Sequence, residues 1–218
     1  MDGFLETFKY FNFLLIGIRW TIQISAMAVI GGSVIGIFAA LARLSGMRLL
    51  ESASSFYIDL FRVTPFTVQL IWIYYALPLL TNFSFSNVNS GAIAMSLYAG
   101  SFIAEIIRAG ILSIPKGQTE AAQAIGMKSY QVMRRIIMPQ AVVRMLPPLT
   151  SVFISLVKDS SICSLVGVPE LMRQTHALGG YIMRRMEVLT IVGFLYFALT
   201  YPLGLLQNKL YERFSTDL

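Results

Sequence analysis

Charge is what this chain has least of. Of its 218 residues only 13% are Asp, Glu, Lys or Arg, about half the share of a soluble globular domain. The single cysteine, Cys163, excludes a disulfide within the chain. A lone histidine, His176, beside polar neighbours reads as solvated surface, and no Cys/His cluster has the spacing of a metal site. There is no GxxxxGK[ST] loop, so ATP hydrolysis by that route is not expected of this chain. No catalytic nucleophile–base pattern can be argued either. Asp2 and Glu6 stand where a secretory signal would be basic, and the apolar stretch after them is too long for one. Internal repeats and low-complexity tracts are absent. The longest stretch between apolar runs, residues 113–144, is too short for an independent catalytic domain.

What the chain has in excess is apolar surface: 56% hydrophobic and 12% aromatic residues, with a mean hydropathy of +0.68. That is more than a compact core of this size needs, and it points to a helical integral membrane protein. Lipid-facing and interfacial positions absorb the aromatics without any cofactor. A helix needs about 20 apolar residues to cross the hydrocarbon core. Five such runs are expected, at about 20–42, 63–80, 91–112, 145–168 and 188–208, with a polar turn between Thr81 and Gly91. The whole chain, 1–218, reads as one all-α transmembrane domain.

Five spans place the termini on opposite sides, and the basic residues choose between the two orientations. Arg43, Arg48, Arg62, Arg108, Lys116, Lys128, Arg134, Arg135, Arg144, Lys209 and Arg213 fall on one side. Lys9, Arg19, Arg173, Arg184 and Arg185 fall on the other. The excess belongs in the cytoplasm, so the N-terminus is expected outside and the C-terminus inside. The net charge of +6 then has a membrane explanation, and nucleic acid is not expected as a partner.

The cytoplasmic stretch reads SIPKGQTEAAQAIGMKSYQVMRRIIMPQAVVR. Thr119 is suited to cap a short helix with Glu120 in its first turn. Ala121, Ala122, Ala124 and Ile125 follow, and Gly126 suits a chain reversal. Ser129 is suited to cap a second helical piece, expected to end at Pro139. From physics alone this helix–Gly–helix unit serves equally as a partner-docking knob or as an amphipathic segment on anionic lipid. Spacing adds a discriminating detail. Glu120-Ala121-Ala122, three residues, Gly126, nine residues, Ile136, two residues, Pro139 resembles the EAA motif of permease subunits in ATP-binding cassette importers. It departs only at Met138, where leucine is usual, a nearly volume-conserving change.

The resemblance extends from about Gly17 to Asn208. Arg62-Val63-Thr64-Pro65 with Gln69, Tyr98, Glu105 with Arg108, Gly117-Gln118, Pro139-Gln140-Ala141 and LVKDSSICSLVGVPEL from Leu156 to Leu171 all look like the polar amino acid branch of these permeases. That branch includes histidine, glutamine, arginine, glutamate and cystine types. The resemblance implies a type I importer subunit of five spans in the bacterial inner membrane. Its partners would be two ATPase subunits carrying the ATP and Mg²⁺, an identical or homologous second permease, and an external solute-binding protein. Glu120, Ala121, Ala122, Gly126, Ile136 and Pro139 would form the helix that docks into the ATPase.

Within the spans, Lys158 and Asp159 sit about halfway along the fourth, where ionised groups cost several kcal/mol unless paired or wetted. Adjacent residues on a helix diverge by about 100° and pair poorly. Either each has another partner, or the helix is broken there with Ser160, Ser161 and Ser164 helping to solvate it. The functional alternative is a substrate route lined by Lys158, Asp159, Ser160 and Ser161, joined by Thr64 and Gln69 at the start of the second span. Glu105 and Arg108, at i, i+3, read as a structural ion pair. Ala28, Gly32, Gly36 and Ala40 recur every four residues as a close-packing face. The spans offer no excess charge, which favours a zwitterion with a neutral side chain or leaves selection to the binding protein. A self-contained ion-coupled transporter or channel is the alternative class. A purely structural scaffold for another permease is a third.

Overall fold

A computed structural model describes residues 2–215. Every regular element among them is helical: α1 (Asp2–Lys9), α2 (Phe11–Arg43), α3 (Arg48–Val63), α4 (Phe66–Thr81), α5 (Asn87–Leu112), α6 (Lys116–Ala124), α7 (Ser129–Val166), α8 (Leu171–Tyr181) and α9 (Arg185–Ser215). Helices are the open-ended solution to a medium without water, because each satisfies its own backbone. Four of these, α2, α5, α7 and α9, are long and apolar enough to cross a bilayer. A fifth crossing arises if the bent pair α3–α4 is taken as one span.

The centre of the bundle is the parallel packing of α2 on α5. Gly32 lies against Ala99 and Gly36 against Ile103: a β-carbon on Gly32 would stand 2.8 Å from the Ala99 methyl, and one on Gly36 2.7 Å from Ile103 Cγ2. Ala28 and Ala40, on the same face, are fully buried. The four-residue stripe of small side chains is therefore an internal packing face. Dispersion contacts of this kind drive helix association in lipid, where burial of apolar surface gains nothing. Around this pair Ile24, Leu70, Met95, Leu156 and Val168 complete the main core.

The helices differ from the sequence expectation where local chemistry overrides hydropathy. The first begins nine residues before Trp20, since the apolar run continues through Phe11 and Leu14. The second does not start at Val63. Val63 ends α3, an amphipathic helix, and the chain turns by 107° at Thr64-Pro65 into α4. Proline forces an extended backbone on the residue before it, and Thr64 has φ −86° and ψ 145°. The polar turn before α5 is shorter than expected, because Ser86 accepts a hydrogen bond from the Asn89 amide and starts the helix at Asn87.

Pro139 does not break its helix, contrary to expectation. Its missing N–H and its ring are accommodated by one widened π turn, Met133–Ile137, where the Met138 amide donates to the Met133 carbonyl five residues back. A second π turn, Trp72–Ala76, stands in the same relation to Pro78. As a result residues 129–159 form one α-helical rod. The rod then tightens into a 3-10 stretch, Ser160–Val166, and ends at Gly167 with φ +83°.

The segment after that turn is held by Glu170, a residue the sequence does not mark for any role. This carboxylate is fully buried and caps α8, accepting from the Met172 and Arg173 amides at 2.8 and 2.7 Å. It also accepts from the Tyr196 hydroxyl of α9 at 2.9 Å. The Leu171 amide donates to Thr21 Oγ1 of α2. The acidic cap thus ties α8 to α9, and the adjacent Leu171 amide ties α8 to α2. Burial raises the Glu170 pKa to about 7, the three donors only partly opposing it.

Two expectations follow. Gly36→Ala drives a β-carbon into Ile103 and lowers the thermal midpoint of the purified protein by the equivalent of about 1–3 kcal/mol. Gly193→Ala, where a β-carbon meets nothing within 4 Å, is neutral or stabilising by about 0.5–1 kcal/mol. Equal effects at the two sites would contradict the packing described. For Glu170, the folded state holds its proton up to about pH 7, whereas an unfolded glutamate releases it near pH 4.3. Its contribution to stability is therefore full below that value and is lost as pH rises through neutrality. Thermal midpoints recorded across this window fall for the wild type and lose that component in Glu170→Gln.

Candidate functional site

Two regions carry the residues singled out by sequence, and α7 connects them. The first is the turn between α6 and α7. α6 starts earlier than expected, at Lys116 after Pro115, so Thr119 lies inside it and caps nothing. It ends in a Schellman motif: the Met127 amide donates to the Ala122 carbonyl at 3.1 Å and the Gly126 amide to Gln123 at 2.9 Å. Gly126 has φ +81°, a conformation costing other residues about 1–2 kcal/mol. The second helical piece is capped at Lys128, not Ser129, with the Gln131 side chain accepting from the Lys128 amide.

This geometry sorts the motif residues. Glu120 and Ala121 are exposed on the knob, with Ala124 and Ile125 beside them; Ile125 is 78% exposed. Ala122 is 6% exposed and faces inward, so it packs the knob onto its base. Ile136 is half-buried and Pro139 exposed within the π-turn region, where they shape the rod. The knob thus presents the small side chains Ala121 and Ala124 with Ile125, beside the polar Glu120 and Gln123. Arg144, further along α7, donates to the Ser113 carbonyl at 2.7 Å and pins that helix to the end of α5.

The second region is the upper end of α7. Lys158 is exposed and Asp159 half-exposed, and neither forms an ion pair within 4 Å among the described residues. The α-helix ends at Asp159, so the polar groups mark a change of helix type. Ser160 donates to the Val157 carbonyl at 2.8 Å and Ser164 to the Ser161 carbonyl at 2.6 Å. These hydroxyls satisfy backbone carbonyls at the transition, and Lys158 and Asp159 lie beside them.

Thr64 and Gln69 are brought together, but at the α3–α4 bend. The Gln69 amide nitrogen donates to the Phe61 carbonyl at 2.9 Å, the Thr64 carbonyl at 3.0 Å and Thr64 Oγ1 at 2.8 Å. Gln69 therefore clamps the bend. Its buried Oε1 has no partner. Beside it lies an apolar cleft of about 400 Å³ lined in part by Leu60, Thr64, Trp72 and Leu97.

Glu105 and Arg108 pair at 2.6 Å, and Arg43 at the end of α2 reaches the other Glu105 oxygen at 2.8 Å. This carboxylate fastens α2 to α5 below the small-residue stripe. The sequence marks Arg43 as a basic residue at a span end but not as the partner of Glu105, which lies 62 residues away. The signal that would have found it is its position at the same end of a parallel span.

Comparison with known proteins places this geometry. The family model described as "Binding-protein-dependent transport system inner membrane component" matches residues 32–216. The probable amino-acid ABC transporter permease protein YckA of Bacillus subtilis (strain 168) is 36% identical over 97% of this chain and 92% of its own length. The L-cystine transport system permease protein TcyB of the same organism is 39% identical over 90% and 84%. Among solved structures, a chain of a crystallised amino acid ABC transporter with histidines superposes with a TM-score of 0.92 at 33% identity, covering 96% of this chain and 98% of that one. The inward-facing MetNI methionine ABC transporter, at 23% identity and a TM-score of 0.76 over 94% and 98%, shares the fold. With its apolar helices, a 31-residue last helix and this match over most of its length, the chain belongs to the inner-membrane permease components of binding-protein-dependent transport systems, among the amino-acid ABC transporter permeases.

Proposed function

We propose that this chain is the permease subunit of an ATP-driven importer that moves polar amino acids across the bacterial inner membrane by alternating access. The observation that carries the reading is mechanical. The exposed knob at Glu120–Ile125 is joined through the hydrogen-bonded Gly126 turn to α7, and α7 runs on, with one π turn and Pro147-Pro148 inside it, to Lys158 and Asp159. In this reading a displacement of the knob passes through the Gly126 turn into α7 and along it to the substrate route.

In this reading the N-terminus lies outside and the C-terminus in the cytoplasm. The chain itself is not an enzyme and holds no cofactor; ATP and Mg²⁺ sit on two separate ATPase subunits. Glu120, Ala121, Ala122, Gly126, Ile136 and Pro139 build the docking unit, the exposed small residues admitting close approach of the ATPase groove. A loaded external binding protein presents the solute, ATP closes the ATPase dimer, the knobs move together, and the cavity opens outward. An identical or homologous second permease completes the cavity wall. Lys158 and Asp159 offer an ammonium and a carboxylate to the two ends of a zwitterion, with Ser160, Ser161, Thr64 and Gln69 shaping the segments that flank the route. Glu105 with Arg43 and Arg108 stays structural.

Two substitutions separate the roles. Gly126→Pro cannot adopt φ +81° and is expected to abolish both uptake and binding-protein-stimulated ATP hydrolysis while the protein still inserts. Asp159→Asn is expected to cut uptake at least ~10-fold while binding-protein-stimulated hydrolysis persists, the mark of a lost solute contact. Uptake in proteoliposomes alongside phosphate release reads both. Intact coupling in Gly126→Pro would remove the docking role, and unchanged uptake in Asp159→Asn would remove the substrate role.

A further inference from the structure

Beside the knob lies a second surface that the docking motif does not include. Lys128, Tyr130, Gln131, Arg134 and Arg135 line an open cleft of about 510 Å³. The three cationic side chains are exposed, and none forms an ion pair within 4 Å among the described residues. The only acid between residues 113 and 144 is Glu120. The cleft is also shaped. Arg134 donates to the Tyr130 hydroxyl at 3.1 Å, and the Gln131 side chain is held by the Lys128 amide at 2.9 Å.

Height above the membrane decides what such a cleft can meet. Arg144, pinned to the Ser113 carbonyl at the end of α5, marks the level where the apolar span begins. Arg134 is ten residues further along the same helix, about 15 Å at 1.5 Å per residue. The interfacial layer beyond the hydrocarbon core is about 5–8 Å thick on each side. Even a helix tilted by about 40° keeps the arginines about 11 Å out. With the boundary placed at Arg144, they stand past the lipid headgroups and level with whatever receives the knob, since Lys128 follows Gly126 by two residues.

We propose that Lys128, Arg134 and Arg135 form a cationic cleft that receives acidic side chains on the rim of the ATPase groove, a second ionic contact that sets the strength and salt sensitivity of docking. This rests on the docking role given to the knob above. The knob supplies shape and the cleft supplies charge. Exposed ion pairs are screened as the Debye length shrinks with salt, so the coupled state loosens at high ionic strength.

The test uses the permease in nanodiscs and its purified ATPase subunits, with association measured from about 0.05 to 0.5 M KCl. Wild-type affinity is expected to fall with salt. The triple variant Lys128→Gln/Arg134→Gln/Arg135→Gln, altered only at exposed side chains, is expected to bind ~10-fold more weakly at low salt and to lose the salt dependence. Ala121→Trp, which places bulk on the exposed knob, is expected to abolish docking at every salt concentration. Wild-type affinity indifferent to salt, or a triple variant matching the wild type while Ala121→Trp fails to dock, overturns the ionic contact and leaves the docking reading standing. Association untouched by Ala121→Trp and by the triple variant overturns the docking reading itself. If the triple variant loses only a preference for nanodiscs of phosphatidylglycerol over phosphatidylcholine, the cleft is a lipid site and the inference is overturned.

Discussion

Everything in this molecule answers to the absence of water in the hydrocarbon core. Backbone polar groups there have to be satisfied within the chain, and each irregularity is a local solution to that demand. The proline at 139 removes a donor, and the chain widens one turn so that Met138 reaches Met133. The bend at Thr64-Pro65 frees the carbonyls of Phe61 and Thr64, and the Gln69 amide takes both. Ser54 and Tyr57 of α3 donate to the carbonyls of Ala39 and Leu97. Ser160 and Ser164 do the same where the rod changes helix type. Side-chain hydroxyls and amides act here as substitutes for solvent.

The same constraint explains why so few charges carry so much. Glu105 holds Arg43 and Arg108 where α2 and α5 end, and at the other end of the bundle Glu170 ties α8 to α9 while its neighbour Leu171 ties α8 to α2. Between these two fastenings α2 and α5 touch through glycine and alanine. Fastening α2 to α5 leaves α7 as the long element that runs from the α6–α7 turn to Lys158 and Asp159. The coupling proposed above rests on that contrast between a fastened pair and one long helix.

Much of the architecture was legible as composition and period. Apolar runs announce the long helices, the four-residue stripe announces a packing face, and Gly126 between two helical patterns announces a left-handed turn. The family resemblance rested on spacing around that glycine. Three features resisted. α3 is an amphipathic helix with charges at Arg48, Glu51, Asp59 and Arg62, which hides it from a search for uncharged runs. Pro139 reads as a breaker because a π turn leaves no trace in hydropathy. Arg43 and Glu170 find their partners 62 and 26 residues away, pairings that only the packed bundle reveals. At the site itself, Lys158 and Asp159 stood out by sequence. The use of Gln69 as a clamp and the inward turn of Ala122 are facts of three-dimensional placement.

The central claim is that ATP, received through the knob, drives the solute across. Uptake of radiolabelled polar amino acids into proteoliposomes tests it most directly, with the permease reconstituted alone or with its ATPase and binding protein. The account predicts uptake only in the full assembly, lost when ATP is depleted and indifferent to ionophores that collapse proton and sodium gradients. Uptake by the permease alone, driven by an ion gradient without ATP, would contradict it.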